Sequence, residues 1–292
     1  GGGGGSGGGE RGHPKKTGAS RIRGERTVGG DTEATKASVS SSTFPLLVVR
    51  RFPIVIADAP RYPWRGLLLD TANHFLPVHT LETFLDVMSS VKMNVLHWHV
   101  VDSYAFPFES ESFPDLSLHG AWHPTKAVYS PGGVAWVVAY AADRGIRVLP
   151  EFDMPGHAHS WGLSPSLSSL TTRCPRYANE LGHLNDVPLD PSQPLTYQVL
   201  RGLLGDATSA FPDAYFHLGG DEVQFACWNE SEPVLEYMEQ LGIIGNRTSE
   251  DFRNLEDQFW IQALEALNGE EEERSTEKHI SSSSSSSSGG GG

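Results

Sequence analysis

The sequence is poor in cysteine, in basic charge and in long apolar runs, and each shortage bears on what the chain can be. Cys174 and Cys227 are the only cysteines among 292 residues, and two alone leave a bridge and two buried thiols equally open. No apolar run of about eighteen residues occurs, so no membrane span is expected. Lys and Arg number 22 against 36 Asp and Glu, a net charge of −14, which argues against nucleic acid as a partner because phosphate binding calls for a basic face. The short basic arm of Lys15, Lys16, Arg21, Arg23 and Arg26 reads as unstructured chain. The sequence opens on glycine without the charged and apolar regions of a leader, so no secretory signal is visible in it.

Apolar residues are nearly missing from both ends. Residues 1–42 are rich in Gly, Ser and charge, and 269–292 run from an acidic stretch into serines and glycines. Neither end buries enough apolar area to offset ordering entropy, so both are expected to be disordered. About 225 residues remain, enough for one large domain or most of one.

Within that part, 43–64 reads as one or two short strands leading in, a remnant of a preceding domain. The apolar run ending at Asp70 is expected as a strand buried on both faces. Helical spacing follows over 77–92, with Leu81, Phe84, Leu85 and Met88 on one face and Thr80 as N-cap. Further strands are expected over 94–100 and 146–153, and helices over 134–144, closed by Gly145, and 194–210. A fourth strand over 215–218 and helices over 233–241 and 249–267 complete the series. Strand–helix alternation with apolar strands predicts a parallel sheet with right-handed crossovers. Polar residues gather just after each strand, at 70–74, 102, 153–159 and 221–222, where a (β/α)₈ barrel or a doubly wound sheet keeps its site. Four such units are countable, so either a barrel is incomplete in this chain, with 65–268 forming its first half to five-eighths, or the fold is a smaller one.

The stretch around which the rest is organised is 211–228. A turn at Pro212-Asp213 leads into Tyr215, Phe216 and Leu218, then Gly219 and Gly220, then the adjacent acids Asp221 and Glu222. Neighbouring side chains at a strand end point in different directions, so one acid can lie against the base of a pocket while the other reaches into it. Different surroundings push two carboxyl pKa values apart, which lets one site hold an acid and an anion together. His97 and His99, two apart, face the same side of their strand; with His157 and His159 they offer a zinc site, and hence a metal-dependent hydrolase as a second reading. Aromatic and imidazole layers filling an interior are the preferred account of these histidines.

Four segments together carry a resemblance: RGLLLDTANHFLP at 65–77, NVLHWHVVD at 94–102, RGIRVLPEFDMPGH at 144–157 and FPDAYFHLGGDEV at 211–223. In that order they resemble the family 20 glycoside hydrolases, nearest to the eukaryotic lysosomal-type β-N-acetylhexosaminidases, over about 60–267. The resemblance implies a partial (β/α)₈ TIM barrel with disordered tails. It implies release of terminal non-reducing β-linked N-acetylglucosamine or N-acetylgalactosamine by a retaining mechanism without an enzyme nucleophile, in which the substrate acetamido oxygen attacks the anomeric carbon. Glu222 matches the general acid and Asp221 the residue that orients the acetamido N–H; His157, Asp102 and Asn73 match substrate-binding positions. No cofactor and no metal are implied, a dimer is allowed, and the compartment is lysosomal or secreted. Cys174 and Cys227 match a disulfide of the lysosomal-type enzymes, and Asn229 and Asn246 head glycosylation sequons.

The chain also departs from the pattern. Asn73 stands where the family carries an arginine that grips sugar hydroxyls, and Ser103 where a second acid often follows Asp102. The family's later strands, with the tryptophan walls of its pocket, are not found here. An inactive or fragmentary homologue with weak sugar binding is therefore the alternative expectation.

Overall fold

The computed structural model of the chain describes residues 55–183, 186–243 and 245–285, with side chains to 267. The disorder expected over 1–42, the first part of the lead-in at 43–64 and the last residues, 286–292, lie outside the described residues. Residues 55–57 belong to a first unit, Gly1–Ala57, and have no regular structure; the second unit is Asp58–Gly292. Among the described residues, regular structure starts at Gly66.

Three parallel strands, β1 (Gly66–Asp70), β2 (Val95–Val101) and β3 (Arg147–Phe152), form a sheet in that order. Helix α1 (Val78–Ser90) links β1 to β2, and α3 (Pro131–Ala142) precedes β3, as crossovers between parallel strands require. The sequence explains both helices. Leu81, Leu85 and Met88 recur on one face of α1 and are buried, each contributing roughly 1.5–3 kcal/mol by leaving water. α3 starts earlier than expected because Ser130 caps it, its Oγ accepting from Gly133 N at 3.2 Å, with Pro131 in the first turn. Thr80 is not the cap of α1; its own N–H donates to Pro77 O at 2.8 Å, inside the first turn. Gly145 closes α3 at φ +68° as expected.

β2 and β3 are almost wholly buried, with Trp98, Val100 and Phe152 in the main core. β1 corrects the expectation of a strand covered on both faces: Leu68 is 51% exposed. Among the described residues no strand pairs with the outer edge of β1, so that edge and part of one face stay open.

The fourth strand is also reduced. Residues 215–218 make one parallel bridge, Glu151 to His217, with His217 N donating to Pro150 O and Phe152 N to His217 O, both at 3.0 Å. The ladder stops where Gly219 and Gly220, at φ +72° and +115°, turn the chain away. α4 (Pro194–Ala210) delivers the chain to this bridge and packs on α7 (Ser249–Ser285). Two shorter helices, α5 (Phe225–Glu230) and α6 (Glu232–Gln240), join the start of α7 in a satellite core around Trp228, Val234 and Phe252. The backbone of α7 continues to Ser285, where disorder was expected from 269; the glutamates at 270–273 are strong helix formers, and their propensity was outweighed in that expectation by their charge. α2 (Asp115–Gly120) sits in the long loop after β2.

Candidate active site

Asn73, Asp102, His157, Asp221 and Glu222 each lie on a segment that follows the carboxyl end of a strand or of the 215–218 bridge. After β1, Asp70 Oδ1 accepts from the N–H groups of Ala72 at 2.9 Å and Asn73 at 3.0 Å, and its Oδ2 accepts from Asn73 Nδ2 at 2.6 Å. Asn73 is thereby folded back onto its own turn. After β2, Asp102 is buried, its main-chain oxygen accepting from Ser160 Oγ at 2.6 Å. After β3, the chain passes buried Asp153 and a cis Met154–Pro155 bond to Gly156 and His157.

Asp102, His157 and Glu222 are brought together. His157 Nδ1 is 3.7 Å from Asp102 Oδ1, and its Nε2 is 3.4 Å from Glu222 Oε2. A close backbone approach makes this contact: a Cβ on Gly156 would fall 2.7 Å from Asp221 O, so the turn carrying His157 and the segment carrying the acids touch main chain to main chain. The second close approach is at Gly219, whose added Cβ would fall 1.7 Å from Asp153 Oδ1. Only glycine fits either position.

Electrostatics follow from these neighbours. The Asp102 carboxylate holds the His157 pKa up, to about 9, against burial, which pulls it down. At neutral or acid pH Glu222 therefore sits beside a cation. Burial pushes Asp102 up, but contacts with His157 and His99 more than offset it and keep the carboxyl well below its usual range. Burial, with Asp221 and Glu151 adding to it, raises Asp153 to about 7, and its Oδ1 is buried without a hydrogen-bond partner.

The acid pair departs from expectation in one respect. Asp221 and Glu222 are both exposed, the Glu222 side chain 70% so, and neither lies at the base of a pocket. The strand that would hold them is a single bridge, so among the described residues no strand ladder carries the chain past Gly220. What steadies them is the loop before α4. Cys174 and Cys227 form a buried disulfide, S–S 2.02 Å, fixing that loop to α5. Tyr177 Oη donates to Gln224 Oε1 at 3.0 Å, and Gln224 Nε2 donates to Glu222 O at 3.0 Å. Glu230 accepts from the N–H groups of Arg176 and Tyr177 at 2.6 and 2.8 Å. Tyr177, Gln224 and Glu230 were missed in the sequence, where nothing but the nearby cysteines hints at them.

Beneath the site lies a histidine–carboxylate layer. His97 and His99 do share a face: His97 Nε2 lies 2.6 Å and His99 Nδ1 3.0 Å from Glu151 Oε2, while His217 Nδ1 lies 3.0 Å from Glu151 Oε1. Three groups in this region, His97–Glu151–His217, His99–Glu151–Asp153 and Asp102–Asp153–His157, have donor atoms within 4.8 Å of one another. A tetrahedral zinc with ligands at about 2.0–2.2 Å spreads its donors to about 3.3 Å or more, so contacts of 2.6–3.0 Å have the spacing of ion pairs, although His97 Nε2 is not aligned to hydrogen-bond. His159, offered by the sequence as part of a zinc pair, is in none of these groups. Asn229 and Asn246, the two sequon asparagines, are exposed, whereas Ser231 of the first sequon is buried.

Residues 62–282 match glycosyl hydrolase family 20, catalytic domain. The beta-hexosaminidase subunit beta of Mus musculus is 43% identical over 213 residues, 73% of this chain and 38% of that protein. Subunit A1 of Dictyostelium discoideum is 41% identical over 201 residues, 69% of this chain and 36% of its own length. Among solved structures, the exo-β-N-acetylglucosaminidase of Vibrio harveyi in complex with N-acetylglucosamine aligns with a TM-score of 0.61 at 29% identity, covering 73% of this chain and 35% of that one. The Flavobacterium johnsoniae chitobiase aligns at 0.60 with 30% identity, covering 72% and 30%. The chain thus spans less than two-fifths of the curated relatives it matches. With the match running through the three segments that bring Asp102, His157 and Glu222 together, the chain belongs to glycosyl hydrolase family 20.

Proposed function

We infer that this chain carries the acid-bearing part of a β-N-acetylhexosaminidase. The observation that carries the reading is the contact of Glu222 with His157, itself backed by Asp102, at the carboxyl end of a parallel sheet. Glu222 protonates the departing glycosidic oxygen as the substrate acetamido oxygen attacks the anomeric carbon. Asp221 orients the acetamido N–H and stabilises the positive oxazolinium. Glu222, now anionic, takes a proton from the water that opens this intermediate. His157 sits where its positive charge steadies the carboxylate in that second step. The substrates are glycans ending in β-linked N-acetylglucosamine or N-acetylgalactosamine. Asp102 and Asn73 complete the sugar-binding set, with Asn73 gripping weakly because its amide is engaged by Asp70.

The sheet order and crossovers fit the opening strands of a (β/α)₈ barrel. The disulfide and the exposed sequon residues Asn229 and Asn246 favour a lysosomal or secreted setting. No described helix is long and apolar enough to cross a membrane.

Release of the chromophore from an aryl N-acetyl-β-glucosaminide tests the reading. Turnover that Glu222→Gln lowers by roughly 10²–10⁴-fold is the expected result. The exposure of Glu222 and the tethering of Asn73 favour a second reading, a homologue that binds sugar weakly without hydrolysing it. Folded wild-type protein with no turnover decides for that one.

A further inference from the structure

The polar contacts behind Glu222 do not stop at Asp102. His99, buried on β2, stands between two carboxylates: its Nε2 is 3.0 Å from Asp102 Oδ2 and its Nδ1 is 3.0 Å from Glu151 Oε2. Glu151 is buried on β3 and is the register partner of His99 across the two strands. No step of the reaction proposed above uses either residue. Buried charge is costly unless paired and hydrogen-bonded, so both groups need a reason to be there. An imidazole facing a carboxylate at each nitrogen satisfies both only when doubly protonated, as a cation donating in two directions. One oxygen of Asp102 is thereby held, and the other, Oδ1, accepts from the Ser103 N–H and faces His157. The remaining charged groups around His99 are Asp70, its register partner on β1, Asp153 after β3, and His97 on its own strand, which shares the Glu151 carboxylate.

We propose that His99, clamped by Glu151, is a positioning residue that fixes the Asp102 carboxylate toward His157 and through it holds Glu222. Five side chains, Glu151, His99, Asp102, His157 and Glu222, then form one line from the inner sheet to the acid. The inference rests on the reading of Glu222 as the proton donor. Loss of His99 removes a cation and loosens the Asp102–His157 pair. Both changes leave Glu222 beside less positive charge and less firmly placed.

The test compares the full chain with its His99→Gln variant. kcat is expected to fall roughly tenfold with KM within about twofold, because a misplaced donor slows the chemical step and spares sugar binding. A folded variant with the wild-type kcat overturns the proposal, since a merely structural histidine does not move it. If His99→Gln does not fold, Glu151→Gln, which keeps the shape of the residue, is expected to lower kcat in the same way, and an unchanged kcat there is equally fatal. The ¹⁵N imidazole titration of His157, read without substrate, is expected to shift by about half a unit or more in whichever variant folds. An unmoved titration overturns the positioning role whether or not sugar is turned over, so an inactive wild type removes the functional reading alone.

Discussion

Glu222 and His157 sit at φ +52° and +51°, a region where a residue with a side chain costs of order 1–3 kcal/mol. Two such residues facing each other at 3.4 Å are held by their surroundings, and the surroundings are specific. Gly156 lets the two turns meet. A methyl added there lies 2.7 Å from Asp221 O, and a main-chain oxygen cannot swing aside as a side-chain tip does. Gly156→Ala is therefore expected to push the two turns apart. It should lower kcat by at least about tenfold and cost roughly 1–3 kcal/mol of stability, read from turnover and urea unfolding. Wild-type turnover in that variant would show that the contact between the turns is not what aligns the acid. Asn73 makes a complementary point: its departure from arginine was legible in the sequence, but its capture by Asp70 three positions earlier depends on a turn geometry the sequence leaves open.

Among the elements, what could be read in advance divides by range. α1, α4 and the strands β2 and β3 follow from local spacing and were expected nearly where they lie. The residues of the acid, His157 and Asp102 stood out through their motifs. The exposure of the acids did not, because it depends on how much of a fourth strand pairs with β3, and pairing is a long-range property. The link from Glu151 to His99 was hidden for the same reason: only the β2–β3 register sets them opposite each other. The disulfide is the element-scale counterpart, joining residues 53 apart to pin the loop before α4 onto α5. Cross-linking at that separation stabilises mainly by restricting the unfolded chain, by about 2–4 kcal/mol. Replacing both Cys174 and Cys227 with serine is expected to lower the urea midpoint accordingly. It should also loosen the Tyr177–Gln224 contact that steadies the Glu222 main chain, lowering kcat. An unaltered midpoint would mean that the loop is held by Tyr177, Ala178 and Val187 packing alone.

For the molecule as a whole, the same buried charges set a pH at which folding is favoured. Burial lowers the His99 pKa but its contacts with Asp102 and Glu151 win, raising it to about 10, and Asp102 raises His157 to about 9. A histidine with a raised folded pKa stabilises fully below its unfolded value near 6.5, and that contribution is lost as pH rises through the folded value. Asp153, raised by burial to about 7, acts with the same sign: it favours the fold while protonated and costs stability once pH passes its unfolded value near 4. Asp102 and Glu151 act oppositely. Burial raises them, contacts with His157, His97 and His99 hold them lower overall, and the stability they contribute is present above about pH 4 and lost below it. The two sets cross in mildly acid solution. Thermal unfolding is therefore expected to peak near about pH 5 and to fall progressively toward pH 9. In His99→Gln the part of the decline between about pH 6.5 and 10 should shrink, since the group that releases its proton there is gone. A melting temperature that stays level from pH 5 to 9 in the wild type would mean that these histidines carry no net charge in the fold, and the charged line behind Glu222 would go with them.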